Sequence, residues 1–488
     1  MAIASARRSG SLDAQGITNT LWAYATCNML DWTLVDLLAA RAAVLIGNFT
    51  PQNLSNFVWA FARLQVQNQP VIALISLHAC SRLKEFRPQN LANTAWSYAT
   101  LAVPNMPLLN AIAGFAGSLL SEFSCQDLSN TAWAFASLRV EAVPLFKALA
   151  TSCQERISEF DHQNLAATAW AFALVGFCDA QIFEAIALMS VAKMERMETF
   201  GPLSLVSMAL ACARISLVHE RLLATLARTS ERCLREFSPQ GLGNLAWAFA
   251  TVGFFDKQLC GALGFEATER ISEFGCQSLS NTAWAFAKVA YPHRPLLRAI
   301  STQAVRRIHE FIPQELANTA WSYARVLLQD EPLVDAIAMA VVHCPDTFSP
   351  QDIANMAWAF ARLCITDYPL LEGMSEYASS AIEKFDAQGL ANILWAMAEI
   401  AYQNKPLVDA ISGASIVKIR EFDFQGLSNS AWAIATLASM DGPLMDAMAA
   451  RLLQNTPDEN SSNRFGAAWP LWRSGRSGRG GSWSLLLP

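Results

Sequence analysis

Four residue types recur at fixed spacing along this chain. With a tryptophan taken as position zero, glutamine stands at −7, asparagine at −3 and, in five repeats, arginine or lysine at +4. On a helix, −7, −3 and +4 fall within about 40° of one another, and the indole borders them. Each type has a nucleic-acid chemistry. Amides pair with base edges, indoles stack on bases and cations neutralise phosphates. Each also has a structural role. An amide ladder can tie adjacent helices, because buried amides need partners, and a tryptophan flanked by alanines can form inter-repeat core. The flanking sequence favours the structural role for the amides and tryptophans, and leaves the +4 column balanced between a phosphate track and a solvated edge.

Glutamine fills its slot in eleven of twelve repeats and asparagine in ten, so neither can distinguish one ligand unit from the next. Discrimination has to come from variable slots. At +4 the cations are Arg63, Arg214, Lys288, Arg325 and Arg362, against one acid, Glu399, giving this stripe a net charge of +4 in a chain of net −6. At −6 the residues are small, polar or acidic, and Asn53, Asn90 and Asn164 are candidate base contacts. That column also sits near a helix start, and the capping role is favoured there. The arrangement is similar to recognition of one base per helical hairpin.

Other chemistry finds little support. The chain contains no GxSxG, HExxH, glycine-rich phosphate loop or distinctive carboxylate pair, so no catalytic residue, cofactor, metal or small-molecule substrate is expected. Eleven cysteines without a CxxC pair read as reduced, intracellular and mostly buried thiols. The adjacent His343 and Cys344 read as ordinary packing at a helix end rather than a metal half-site. Apolar residues form 53% and charged residues 16% of the chain, which excludes intrinsic disorder for its bulk. No apolar run reaches the ~20 residues of a membrane span. Arg7, Arg8 and nearby serines amount at most to a fragment of an organelle transit sequence.

The elements that position these residues follow from a 37-residue period. Tryptophans stand at 22, 59, 96, 133 and 170, then at 247, 284, 321, 358, 395 and 432. Between the two series, Leu210 occupies the tryptophan slot after a three-residue insertion. Twelve repeats result.

Their shared phrase is F-x-P-Q-x-L-x-N-x-A-W-A-F-A-x-L. Asp13, Thr50, Ser124, Asp161, Ser238, Ser349, Asp386 and Asp423 occupy the N-cap slot, and proline often follows at the first helical position. The phenylalanine before the cap and the leucine within the helix, such as Phe86 and Leu91, match a hydrophobic staple. A first helix is predicted from each PQ for about fourteen residues. A second opens at a proline eleven after tryptophan, as over residues 107–122, and ends in basic residues (Arg82, Lys84, Arg235, Arg306, Arg307, Lys418, Arg420) that suit a helix C-terminus. The fold class is all-α, a right-handed α-solenoid of about twelve helical hairpins. It occupies residues 11–455, between an N-terminal tail at 1–10 and a disordered, linker-like tail at 456–488.

The phrases PQNLANTAWSYATL (88–101), CQSLSNTAWAFAKV (276–289) and PQELANTAWSYARV (313–326) carry a family resemblance. They resemble octotricopeptide and heptatricopeptide repeats and the leucine-rich region of FAST-kinase-like proteins. They are also similar to repeat subunits of the mitochondrial RNA-editing substrate-binding complex. The resemblance covers nearly the whole chain. It implies a non-catalytic protein that binds single-stranded RNA alongside other ribonucleoprotein subunits, in mitochondrial or plastid RNA processing, stability or editing. A cytoplasmic location is the further alternative. The competing reading is a protein-binding scaffold with no direct RNA contact.

Overall fold

The computed structural model describes residues 12–343, 347–437 and 442–454. The expected tails at 1–10 and 456–488 lie outside the described residues, as does Cys344. Twenty-four α-helices are present among the described residues, paired as twelve hairpins, and no strand. The chain forms two compact units, divided between Leu296 and Leu297. The first unit contains seven complete hairpins from Ala14 and the first helix of the eighth, whose second helix, Arg294–Arg306, spans the division; the second unit contains the four hairpins that begin at Pro313. Each unit is an all-α solenoid stack.

Each first helix has thirteen residues, as in Pro51–Arg63, apart from the fourteen-residue Pro239–Val252. All eight N-caps expected from sequence are made. The side-chain oxygen of Thr50 accepts from the Asn53 amide at 3.2 Å, and that of Asp423 accepts from Gly426 at 2.6 Å. Within each unit, first helices pack closely on the first helices of neighbouring repeats. Small residues allow this approach: Ser55, Ala92, Ser129, Ala166, Gly243 and Ala317 are buried at −4. At Gly243 an added Cβ would lie 3.2 Å from both the Ser278 carbonyl and Thr282 Oγ1. The aromatic at +2 fills the space toward the second helices. Phe61, Tyr98, Phe135 and Tyr323 are almost wholly buried, each contributing about 1.5–3 kcal/mol of burial. The Tyr98 hydroxyl donates to the Ile72 carbonyl at 2.8 Å, and burial pushes its pKa up.

The second helices differ from expectation at both ends. The segment read as one helix over 107–122 is the α-helix Met106–Ala116 followed by the 3₁₀ turn Leu120–Glu122. Its start is set by Asn105, whose side chain accepts from Leu108 N at 3.1 Å, with Pro107 one residue inside the helix. The 3₁₀ turn lets the chain reverse, so that Phe123 enters the core before the next first helix. In the fifth hairpin the three-residue insertion lengthens the second helix, Ala180–Glu195, to sixteen residues.

First helices end on a residue in the left-handed region at +6, and this residue is usually not glycine: Ala102, Ala290, Leu327 and Ala401 have φ of 53–54°. The next amide then bonds back to the +2 carbonyl, as Leu328 N does to Tyr323 at 2.9 Å. Only glycine adopts this conformation without steric cost. Leu327 is exposed, so replacing it forfeits little packing. Leu327→Gly is therefore expected to stabilise the protein by about 0.5–1 kcal/mol. A higher urea midpoint at unchanged m-value checks this, and a lower midpoint refutes it.

Candidate nucleic-acid interface

The glutamine, asparagine, tryptophan and +4 positions form one solvent-facing stripe along each first helix. Gln52, Gln89, Gln126, Gln240, Gln314 and the other −7 glutamines are exposed, and the −3 asparagines are half-buried except for the exposed Asn19. Among the described residues, no side-chain hydrogen bond is made by any of these amides. The expected ladder of amide bonds between helices is thus absent. Helix-to-helix contact is instead made by the alanines and small residues on the opposite flank, which leaves the amides turned outward.

The tryptophans also depart from expectation. They are not inter-repeat core: Trp22 is 48% and Trp432 37% exposed, and those between are half-buried. The alanines at −1, +1 and +3 take the buried places instead, as Ala95, Ala134 and Ala136 show. Each indole packs chiefly along the row. In the first unit, Trp96, Trp133 and Trp170 lie 6.4 and 6.5 Å apart between centroids, and Trp247 and Trp284 6.3 Å. In the second unit, Trp321, Trp358 and Trp395 repeat this at 6.3 and 6.2 Å, with planes about 30° apart. Short indole ladders therefore run beside the amides, in two pieces separated by Leu210 in the first unit and over three rings in the second.

Arg63, Arg214, Lys288, Arg325 and Arg362 all lie on the stripe and are exposed. Among the described residues none forms an ion pair, and only Lys288 has a close intramolecular partner, its ammonium 5.9 Å from the centre of the Trp284 ring. They do not form one track. Arg325 and Arg362 stand on adjacent, packed first helices of the second unit. In the first unit, Arg63, Arg214 and Lys288 occupy non-adjacent first helices, with Thr100, Ser137, Leu174 and Thr251 at the intervening +4 sites.

Asn53, Asn90 and Asn164 are not on this stripe. The −6 column is the third residue of the first helix, and these side chains serve the helix start. Asn53 Oδ1 accepts from Thr50 N and Oγ1 at 3.0 and 2.7 Å. Asn90 is buried, accepts from Arg87 N at 3.2 Å and donates to Ser55 Oγ at 3.1 Å. Asn164 Oδ1 accepts from Ser129 Oγ of the preceding repeat at 2.8 Å. These contacts are those of the capping role that the sequence favours for this column, and they tie the side chains into the fold.

A second set of cations does different work. The Arg156 guanidinium donates to the Phe123 carbonyl 33 residues earlier, at 2.5 Å, and to Glu159 at 2.7 Å. Arg82 joins Phe49 and Glu85 at 2.5 and 2.6 Å, and Arg270 joins Phe237 and Glu273 at 2.8 and 2.9 Å. Lys418 donates to the Phe385 carbonyl in the second unit. Where Ala381 fills this slot, the Tyr377 hydroxyl donates to the Phe348 carbonyl at 2.7 Å. Arg82 and Lys418 thus tie the end of a second helix back to the phenylalanine that precedes the first helix of the same hairpin rather than merely neutralising their own helix end, and Arg156 and Arg270 were not singled out from the sequence at all.

The sixth repeat interrupts the stripe. Leu203 and Leu210 replace glutamine and tryptophan, Ser207 replaces asparagine, and Leu203 is 80% exposed. Among the described residues, no helix is long and apolar enough to cross a membrane, and no cluster of three metal-ligating side chains is found.

No curated protein sequence matches the chain. Among solved structures, it is similar to a homology model of the full-length AP-3 complex in an intermediate open conformation, at 9% identity and a TM-score of 0.26, over 92% of this chain and 88% of that one. A family profile, RNA-editing substrate-binding complex 6 protein, matches residues 1–294 and 266–442. With hairpin repeats accounting for nearly all of that span, the chain belongs to the RNA-editing substrate-binding complex 6 protein family.

Proposed function

We propose that this chain is a non-catalytic subunit of a mitochondrial RNA-editing substrate-binding complex, and that it holds single-stranded RNA along the exposed stripe of its first helices. The family supports the complex and its compartment. One observation carries the RNA contact: amides, indole edges and cations recur together on a solvent face and, Lys288 and the indole row apart, lack intramolecular partners among the described residues. Cations engage phosphates, while indole edges and amides engage bases. The other subunits of the complex are further partners.

The test is binding of the full chain to a labelled single-stranded RNA over a range of salt concentrations. For single strands the slope of log K against log salt is about −0.7 per phosphate neutralised, so five engaged cations give about −3.5. A slope near zero, or no binding at low salt, refutes the RNA contact. Capture of the other subunits that survives RNase treatment, without RNA binding by the chain itself, favours the scaffold reading.

A further inference from the structure

We infer that the stripe recognises a run of one repeated base, adenine, rather than a mixed sequence. The inference rests on the RNA-binding reading above and specifies its ligand. A solvent-exposed position with no intramolecular partner is hydrated equally well with glutamine, lysine or glutamate. The neighbouring +4 column shows that freedom, holding threonine, serine, leucine, glutamate and basic residues. The −7 column does not: it holds glutamine in eleven of twelve repeats, and asparagine stands one turn on in ten. Constancy at an exposed site marks an external contact of constant chemistry. The same pair of amides repeated ten times calls for the same ligand unit repeated.

The unit follows from hydrogen-bond chemistry. Each amide presents one donor and one acceptor side by side. Residues four apart on a helix are neighbours, with Cβ atoms about 5–6 Å apart, so one repeat offers two such pairs on one face. Adenine alone carries a matching donor and acceptor on both edges away from the ribose: N6–H with N7, and N6–H with N1. Uracil and cytosine carry a match on the Watson–Crick edge only, and the Hoogsteen edge of guanine holds two acceptors. The indole row supports reading at base edges. A base sandwiched between two rings needs roughly twice the 3.4 Å stacking distance, more than the 6.2–6.5 Å between neighbouring indole centroids. The sixth repeat, with Leu203 and Ser207, has neither amide and interrupts the run.

The experiment compares 15-nucleotide A, U, C and mixed-sequence RNAs on the full chain at one salt concentration. The A 15-mer is expected to bind at least tenfold more tightly than the other three. Equal affinity for all four overturns the inference while leaving RNA binding in place, as does a preference for U or C. Failure to bind any of them at low salt refutes the RNA-binding reading itself. The variant Gln52→Leu/Gln89→Leu/Gln126→Leu installs the residue that repeat six already carries, exposed, at this position. It should bring A affinity down toward that for U, with U affinity falling less and the helical circular dichroism signal unchanged. Retention of the full A preference by that variant would show that the amides are not the readers.

Discussion

Reversing two charges, Arg325→Glu and Arg362→Glu, should lower single-stranded RNA affinity about thirty- to hundredfold at near-physiological salt while the fold persists. The two arginines occupy the same position on adjacent helices, are exposed and make no ion pair among the described residues, so their removal orphans none of those groups. Their reversal removes two phosphate contacts and places two like charges against the backbone, a penalty of about 2–3 kcal/mol in all. The slope of affinity against salt should become shallower by about 0.7 for each phosphate that is no longer neutralised. Arg63→Glu, on a first helix with no other stripe cation beside it, should cost less than either partner of the Arg325–Arg362 pair. Unchanged RNA affinity in the double variant, with its circular dichroism preserved, would take the RNA contact away from this stripe.

What the sequence made legible is the periodic part of the fold. The 37-residue step located the hairpins, and the polar residue before each PQ located the caps, because capping needs one short acceptor at one fixed place. Other features left weaker traces. The left-handed residue after each first helix has no sequence signature here, since residues as different as alanine, leucine, arginine and glutamine fill the place where glycine would announce it. The N-caps of the second helices did have one, a polar residue two before the proline such as Asn105 or Asp367, but the proline drew the boundary toward itself. For the candidate site, helical spacing placed glutamine, asparagine and the +4 cations on one stripe. It did not settle which way the stripe faces. Alanines around each tryptophan suggest burial of the whole neighbourhood, yet the alanines are buried because they are small enough for helices to meet over them, and the larger indole is displaced toward solvent. The −6 asparagines show the converse. Polar and near a helix start, they fit both a ligand contact and a cap, and proximity to the backbone decides for the cap.

The clamp residues were legible only as a pattern without a meaning. Arg-x-x-Glu-Phe recurs at Arg82, Arg156, Arg270 and Arg307, and charge near a helix end is a sufficient account until the guanidinium is seen to reach back to the carbonyl that precedes its own hairpin. Each of these bonds joins the two ends of one hairpin, so removing one of these side chains should lower the intrinsic stability of that repeat. Arg156→Ala takes the charged donor from the Phe123 carbonyl at a part-buried position, an expected loss of about 1.5–3 kcal/mol. Arg82, Arg156 and Arg270 close separate hairpins, so the triple alanine variant should lose close to the sum of the three, with a broadened urea transition as the first unit ceases to unfold as one body. The glutamates contribute less, being exposed partners. Their hydrogen bonds to arginine hold the Glu85, Glu159 and Glu273 carboxyls below the usual range. A carboxyl depressed in the folded state stabilises it above the unfolded pKa of about 4.3 and loses that effect as pH falls through the folded value. Glu159→Gln should therefore flatten the acid limb of stability while leaving most of the neutral-pH value, because the Arg156–Phe123 bond survives. If Arg156→Ala has the urea midpoint of the unaltered chain at pH 7, the clamp adds nothing to stability, and the repeats are held by their small-residue packing alone.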